Sequence, residues 1–419
     1  MSEVPTPLSD ERPARPELMV DDARARFNTW VLTAAQGLYS IASINMFSTA
    51  ALAGYLLAPS PRWATLPITT YIIGTALLTW PASMIMLRVG RRNGFLMGAF
   101  MGLLAAVGAV YAIFERDFAL FCAATMLQGG YQAFAQYYRF AAADMASPSF
   151  RPKAVSWVLT GSIAGAVLGP IVVMNTRELF APVSFAGNFA AAGVFTMVAL
   201  IVLTLVSIPS PREVEGGTAS AAPGRPLAEL VRSPRLLTAI LTGMMAYGMM
   251  NLLMTATPLA MVGCGLSVDQ SAWVIQWHVL AMYVPSFFTG ALIARHGAER
   301  IIAMGLLLNA LAALVNLSGL RMENFGFGLV LLGLGWNFAF IGATSMVSEI
   351  THADERARVQ GLNDFAVFAT VALTSFTAGQ LLDASGWSAV NYALFPMLAL
   401  AAAGLAWHVT RMKRARGQS

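Results

Sequence analysis

Charge is scarce in this chain. Of its 419 residues, 11% are Asp, Glu, Lys or Arg, against roughly 25% in an average soluble domain. So little charge cannot keep a large surface in water, which excludes an ordinary soluble enzyme, a disordered regulator and a nucleic-acid-binding domain. Cysteine is nearly absent. Cys122 and Cys264 both lie in apolar runs, far apart in sequence, so no disulfide framework is implied. The four histidines, His278, His296, His352 and His408, show no metal-ligand spacing. There is no phosphate-binding P-loop to couple the chain to ATP. A Ser-His-Asp arrangement, a His-Glu-x-x-His motif and paired intramembrane aspartates are all missing, so the sequence offers neither a catalytic centre nor a cofactor or metal site. Residues 1–29 lack the apolar core and small-residue cleavage site of a secretory leader and read as a polar tail.

Apolar residues are abundant. They make up 57% of the chain, and the mean hydropathy is +0.64. Twelve apolar segments recur, near 30–57, 64–87, 94–114, 118–142, 154–175, 184–208, 236–263, 270–294, 300–320, 324–348, 359–382 and 387–410. Lipid offers no hydrogen bonds to a backbone, so segments of this length must be helices. The basic residues test the count. Of the 26, 21 fall in segments on the side of the termini, four (Arg62, Arg116, Arg177 and Arg321) in the opposite loops, and Arg139 inside a span. This bias predicts a multi-pass membrane protein with both termini in the cytoplasm. It also accounts for the net charge of +5 without invoking nucleic acid.

The longest polar stretch, 209–235, is rich in proline and glycine and reads as a cytoplasmic linker. It divides the chain into six-helix bundles at 30–208 and 236–410, followed by a tail at 411–419. The halves repeat each other. Asp144 lies seven residues before Arg151, and Glu349 seven before Arg356, at an offset of 205. Arg88 and Gly90 match Arg295 and Gly297 at 207, and Asn45 and Thr49 match Asn251 and Thr255 at 206. A nearly constant offset at three places marks a duplicated six-helix unit with parallel repeats.

Arg88, Gly90, Arg91 and Arg92 are similar to the Arg-x-Gly-Arg-Arg/Lys loop signature of the major facilitator superfamily. Gly290, Leu292, Arg295, Gly297 and Arg300 are similar to its second copy. The resemblance covers nearly the whole chain. The signature's aspartate is replaced by Leu87 and Ala294, which leaves open how the side of the termini is latched. Gly165-x-x-x-Gly169-Pro170 resembles the family's antiporter motif, but the glycine pair expected after it is Val172-Val173, and the arginine of proton antiporters falls at Thr125. Tyr137-Tyr138-Arg139-Phe140-Ala141-Ala142-Ala143-Asp144 resembles a bacterial branch of uncharacterised or vitamin-type carriers that includes riboflavin importers. What the resemblance implies is an all-α membrane protein with two pseudo-symmetric six-helix bundles. Spans 1, 4, 7 and 10 would line a central cavity that opens to each side in turn.

The polar residues within spans point the same way, because amides are costly in lipid and must face protein or water. Gln128, Gln132, Gln136 and Arg139 share one face of span 4, with Tyr131 beside them. Span 7 offers Tyr247 and Asn251, span 1 Gln36 and Asn45, span 8 Gln276, and span 10 Trp336 and Asn337. These are the substrate-site candidates; the competing reading is hydrogen bonding between packed helices. His278 and Asp364 are candidates for carrying a coupled proton. Arg88, Gly90, Arg91, Arg92, Asp144, Arg151, Arg295, Gly297, Arg300, Glu349 and Arg356 form the expected gate, in which each acid pairs with the arginine seven residues on. The chain reads as a monomeric secondary transporter of a small organic solute, with a flavin or other vitamin importer as one form and a drug or metabolite exporter as the alternative. A transporter-like sensor is the rival from another class, although the tails leave little room for an output domain.

Overall fold

A computed structural model describes residues 22–147, 150–208, 230, 233–350 and 355–416. Most of the 1–29 tail, most of the 209–235 linker and the last three residues lie outside the described residues. The elements run α1 (Asp22–Leu57), a 3-10 turn (Pro61–Trp63), α2 (Leu66–Val89), α3 (Arg91–Phe114), α4 (Phe118–Ala135), α5 (Tyr138–Met145), α6 (Arg151–Thr176) and α7 (Ala186–Thr204). The second half follows as α8 (Pro234–Gly263), α9 (Val268–Tyr283), α10 (Ser286–His296), α11 (Ala298–Leu317), α12 (Met322–Ile350), α13 (Arg356–Tyr392) and α14 (Leu394–Arg416).

Among the described residues, nine segments are long and apolar enough to cross a membrane, and α9 with α10, bent by 41°, makes a tenth. One of the nine runs from 359 to 412 and turns at Gly386, whose φ of 74° breaks the helix, so it accounts for two crossings. The fourth crossing is α4 and α5 together, interrupted at Gln136-Tyr137. This gives the twelve spans read from the sequence.

The duplication is visible in the packing. Spans 1 and 5 pack as α1 on α6, and their repeat mates as α8 on α13; α2 on α4 is matched by α9 on α12, and α3 on α7 by α11 on α14. One buried core lies wholly within residues 25–206 and another within 230–405. Gly90 and Gly297 join successive spans in the same unusual conformation, with φ/ψ of 83°/156° and 84°/150°. Only glycine adopts it without strain, so the repeated glycine of the loop signature has a backbone cause.

Close approach within each half depends on small residues. A Cβ at Gly161 would sit 2.4 Å from the Thr33 carbonyl oxygen, one at Gly165 2.5 Å from Ser40 Cβ, and one at Gly169 2.7 Å from Ile44 Cγ2. The glycines of the antiporter-like motif therefore form, with Gly161, a packing seam between α6 and α1.

The two halves touch mainly through α2 with α13, α6 with α9, and α1 with α8. On the face away from the termini, here the far face, they are bonded. Arg177 Nη1 donates to Asp269 at 2.9 Å, Thr69 Oγ1 to Ser375 Oγ at 3.2 Å, and Gln380 Nε2 to the Arg62 carbonyl at 2.9 Å.

Two outcomes are expected. Gly165→Leu would force α1 and α6 apart and destabilise the protein by about 1–3 kcal/mol. Thermal unfolding of the purified protein reads this, with Gly290→Ala as a control because no atom lies within 4 Å of its added methyl. Asp269→Arg replaces an attraction across the far face by a repulsion. It should raise severalfold the labelling of a cysteine placed at Ser43 by an impermeant maleimide added on that side; unchanged labelling would show that the contact has no weight.

Candidate functional site

Between the halves lie two adjoining chambers, of about 180 and 350 Å³, that share Gln36, Tyr39, Gln132, Ser162, Tyr247, Tyr283 and Phe368 in their walls. The smaller chamber lies toward the far face. The larger extends toward the termini, as far as Thr344 and Gln360, both exposed. Bonded at one face and reaching solvent at the other, the cavity is open toward the termini. Its lining comes from spans 1, 2, 4, 5, 7, 8, 10 and 11, so spans 2, 5, 8 and 11 join the four expected from the resemblance.

The structure brings together Gln36, Gln132, Gln136, Arg139, Tyr247, Asn251, Trp336 and Asp364 around this cavity. The wall from the first half is polar and internally bonded. Gln36 Nε2 donates to Ser162 Oγ at 3.0 Å, Tyr71 donates to Gln132 Oε1 at 2.9 Å, and the Tyr39 and Tyr71 hydroxyls lie 3.0 Å apart. The wall from the second half is aromatic. Trp336 and Phe340 are one helical turn apart on α12 and stack with ring centroids 5.1 Å apart and planes 13° from parallel. Tyr247 meets both edge-on, at 5.4 and 5.2 Å. Such aromatic arrangements are individually favourable and present a broad apolar face.

Among the described residues, Arg139 and Asp364 are the charged residues of this lining, one from each half. No ion pair joins them. The Arg139 guanidinium lies over the Phe140 ring at 4.8 Å, and Asp364 accepts from Asn363 Nδ2 at 3.1 Å.

Six candidates fall outside the cavity, all buried between helices. Asn45 Nδ2 donates to the Asn188 carbonyl of α7 at 2.5 Å. Tyr131 packs edge-on to Tyr39 at 5.0 Å, against Gly102 of α3. Gln128 and Gln276 are buried away from both chambers. Asn337 Nδ2 donates to the Met282 carbonyl at 2.6 Å and Ser286 Oγ at 2.7 Å, and its Oδ1 accepts from Thr289 at 2.6 Å. It thus clips α12 to the α9–α10 elbow, where Pro285 interrupts the span and frees backbone carbonyls. His278 Nδ1 lies 2.7 Å from the Leu329 carbonyl on α12, so this histidine also ties spans together. The sequence reading passed over Tyr39, Tyr71, Ser162, Tyr283, Phe340 and Phe368. The spacing of Gln36, Tyr39, Ser43 and Phe47 along one helical face was the available signal for the first of these.

At the termini face, each expected acid meets an arginine from another loop. Asp144 pairs with Arg91 and Glu349 with Arg235, the latter at 2.5 Å. The side chains of Arg151 and Arg356 lie outside the described residues. Arg92 donates to the Thr204 carbonyl at 2.8 Å, and Arg88, Arg295 and Arg300 are exposed. Each of these two ion pairs joins residues of one half, and both are half-exposed, so each contributes at most about 1 kcal/mol. Among the described residues no group of three or more His, Cys, Asp or Glu is placed to hold a metal.

This arrangement coincides with what the chain is similar to. The sequence pattern of the Major Facilitator Superfamily matches residues 32–267 and again 243–419. The riboflavin transporter RfnT of Brucella anthropi is 44% identical over 382 residues, covering 91% of this chain and 96% of that protein. Among solved structures, the nucleoside transporter NupG superposes with a TM-score of 0.71 at 12% identity, covering 91% of this chain and 99% of that one. FucP, a transporter of the same superfamily, does so with a TM-score of 0.61 at 13% identity, covering 92% and 99%. With two repeated six-helix units around a cavity that spans both, and a family match to each unit, the chain is a multi-pass membrane transporter of the major facilitator superfamily.

Proposed function

We propose that this transporter imports riboflavin or a closely similar flavin, with the termini face in the cytoplasm of a bacterial cell and the protein in the inner membrane. The observation that carries this reading is the two-walled cavity, which opposes bonded amides and hydroxyls to stacked aromatic rings. A flavin matches it: a flat tricycle with an apolar edge, a carbonyl-bearing edge and a hydroxylated tail. Among the described residues the lining carries one positive and one negative charge, which favours a ligand without net charge. Similarity to a protein named as a riboflavin transporter, along nearly the full length of both chains, supports the same reading. The export alternative draws no support from the antiporter-like motif, whose glycines serve helix packing. Because one chain supplies both walls, a monomer is sufficient.

Arg139 and Asp364 are assigned to the transport cycle as the charged groups of the cavity, and the gate is assigned to the arginine-rich loops around Gly90 and Gly297. Asp364, the carboxylate of the lining among the described residues, is the group at which a co-transported proton is held. His278, enclosed between α9 and α12, is left as a structural residue.

In proteoliposomes, saturable uptake of radiolabelled riboflavin is expected. Arg139→Gln should abolish it while the protein still inserts and elutes as a single species; unaltered uptake kinetics in this variant would remove Arg139 from the site. Asp364→Asn should lose accumulation driven by a proton gradient while keeping riboflavin exchange down its own gradient. Equal loss, or equal retention, of both activities would sink the coupling role. In the absence of transport, thermal unfolding with riboflavin at about 100 times its dissociation constant should still show about 2.7 kcal/mol of stabilisation.

A further inference from the structure

The polar groups of the cavity divide into two sets. Toward the far face they satisfy one another, through Gln36 with Ser162 and through Tyr39, Tyr71 and Gln132. In the larger chamber three do not. Gln136 Nε2, Arg139 Nε and Trp336 Nε1 are all buried and have no hydrogen-bond partner. Each of these atoms can only donate. Buried donors in native proteins are nearly always bonded, and of the unpaired buried atoms among the described residues these three are the ones whose side chains line the central cavity. They do not come from one packing defect, because Gln136 and Arg139 belong to the first half and Trp336 to the second. Gln136 also stands at the break between α4 and α5, and interrupted spans are where transporters of several folds place their substrates. Trp336 contributes its ring face to the stack with Phe340 as well. The acceptor of opposite character in the chamber is Asp364, bonded so far by Asn363 alone.

We propose that Gln136, Arg139 and Trp336 form a donor set that reads the acceptor-rich rim of a planar ligand and thereby sets specificity at this site. The ligand class is a flat heteroaromatic whose edge carries carbonyl oxygens and unprotonated ring nitrogens, with few N–H groups. This rests on the flavin reading and sharpens it. The oxidised isoalloxazine rim carries acceptors at O2, O4, N1 and N5 and a single donor at N3. Three protein donors meet that imbalance at the acceptor edge, and the single N–H is not among the atoms they read. A planar ligand with the reverse pattern would leave the donors unpaired and is rejected, which is how sites with fixed buried donors discriminate most strongly.

The test is a set of analogues that change one rim atom each. Radiolabelled riboflavin bound to the purified, full-length protein is displaced by riboflavin, by 5-deazariboflavin and 1-deazariboflavin, in which a ring-nitrogen acceptor becomes C–H, and by 3-methylriboflavin, in which the one donor is capped. At least one deaza analogue should bind at least tenfold more weakly than riboflavin, and 3-methylriboflavin should stay within about threefold. This series uses the native chain, so it does not depend on any variant folding. Repeating it in Gln136→Leu, Arg139→Gln and Trp336→Phe, the last of which keeps an aromatic face, should shrink the deaza penalty in at least one variant, the signature of a pairwise coupling. Equal affinity for riboflavin and both deaza analogues would overturn the inference while leaving the flavin reading standing, as would an undiminished penalty in all three variants. No binding of riboflavin itself would overturn the flavin reading first, and this inference with it.

Discussion

A carboxylate, amide or guanidinium cannot be left facing hydrocarbon, and most of this structure follows from that constraint. The chain has few such groups within its spans, and most are buried between helices or turned toward the interior of the molecule, whereas Asn175 sits exposed at the end of α6. Gln132, Gln136, Arg139 and Asp364 share one cavity because no other surface of their helices can hold them. Asn45, Asn251 and Asn337 meet the same demand by bonding to the backbone of a neighbouring span. A polar face and a polar staple are alternative answers to one problem, and the fold uses both.

Hydrocarbon also removes the usual reason for helices to associate, since their apolar sides are equally content against lipid. Intimate backbone contact replaces it. Gly161, Gly165 and Gly169 let α6 lie almost against the backbone of α1, and Gly74 and Gly129 do the same between α2 and α4. These seams are internal to one half, whereas the hydrogen bonds that join the halves are concentrated on the far face and are made by side chains. Stiff units with a sparse, side-chain junction are what rocking of one half against the other requires.

The sequence disclosed the architecture more fully than the site, and the reason lies in what periodicity encodes. Apolar run length, the arginine bias and the duplicated Arg-x-Gly loops are one-dimensional signals, and they were enough for twelve spans and two halves. Steps of four and three residues likewise put Gln128, Gln132, Gln136 and Arg139 on one face. They do not report depth, and Gln128 lies one turn beyond the cavity wall, where α4 closes on α2. Asn337 was drawn in by its neighbour Trp336, although successive residues on a helix point about 100° apart. Tyr71, Ser162 and Tyr283 were illegible for a different reason: a lone tyrosine or serine in a span looks the same whether it packs or lines a cavity. Arg91 and Arg235 reach Asp144 and Glu349 from other loops, and pairing between distant loops leaves no trace in spacing along the chain.

The elbow in the eighth span has a mechanical consequence. α10 is 11 residues long and departs from the axis of α9 by 41°. At 1.5 Å per residue, its end is carried about 11 Å sideways from where a straight helix would reach. Three hydrogen bonds at Asn337, two donated and one accepted from Thr289, hold both sides of the bend to α12, so the angle is locked to the helix that carries the stacked rings. The span therefore works as a cranked lever rather than a hinge. Any rotation of α12 about its own axis would carry the tip of α10, and Arg295 with it, along. The aromatic platform and the Arg295 end of the eighth span are in this sense one rigid part.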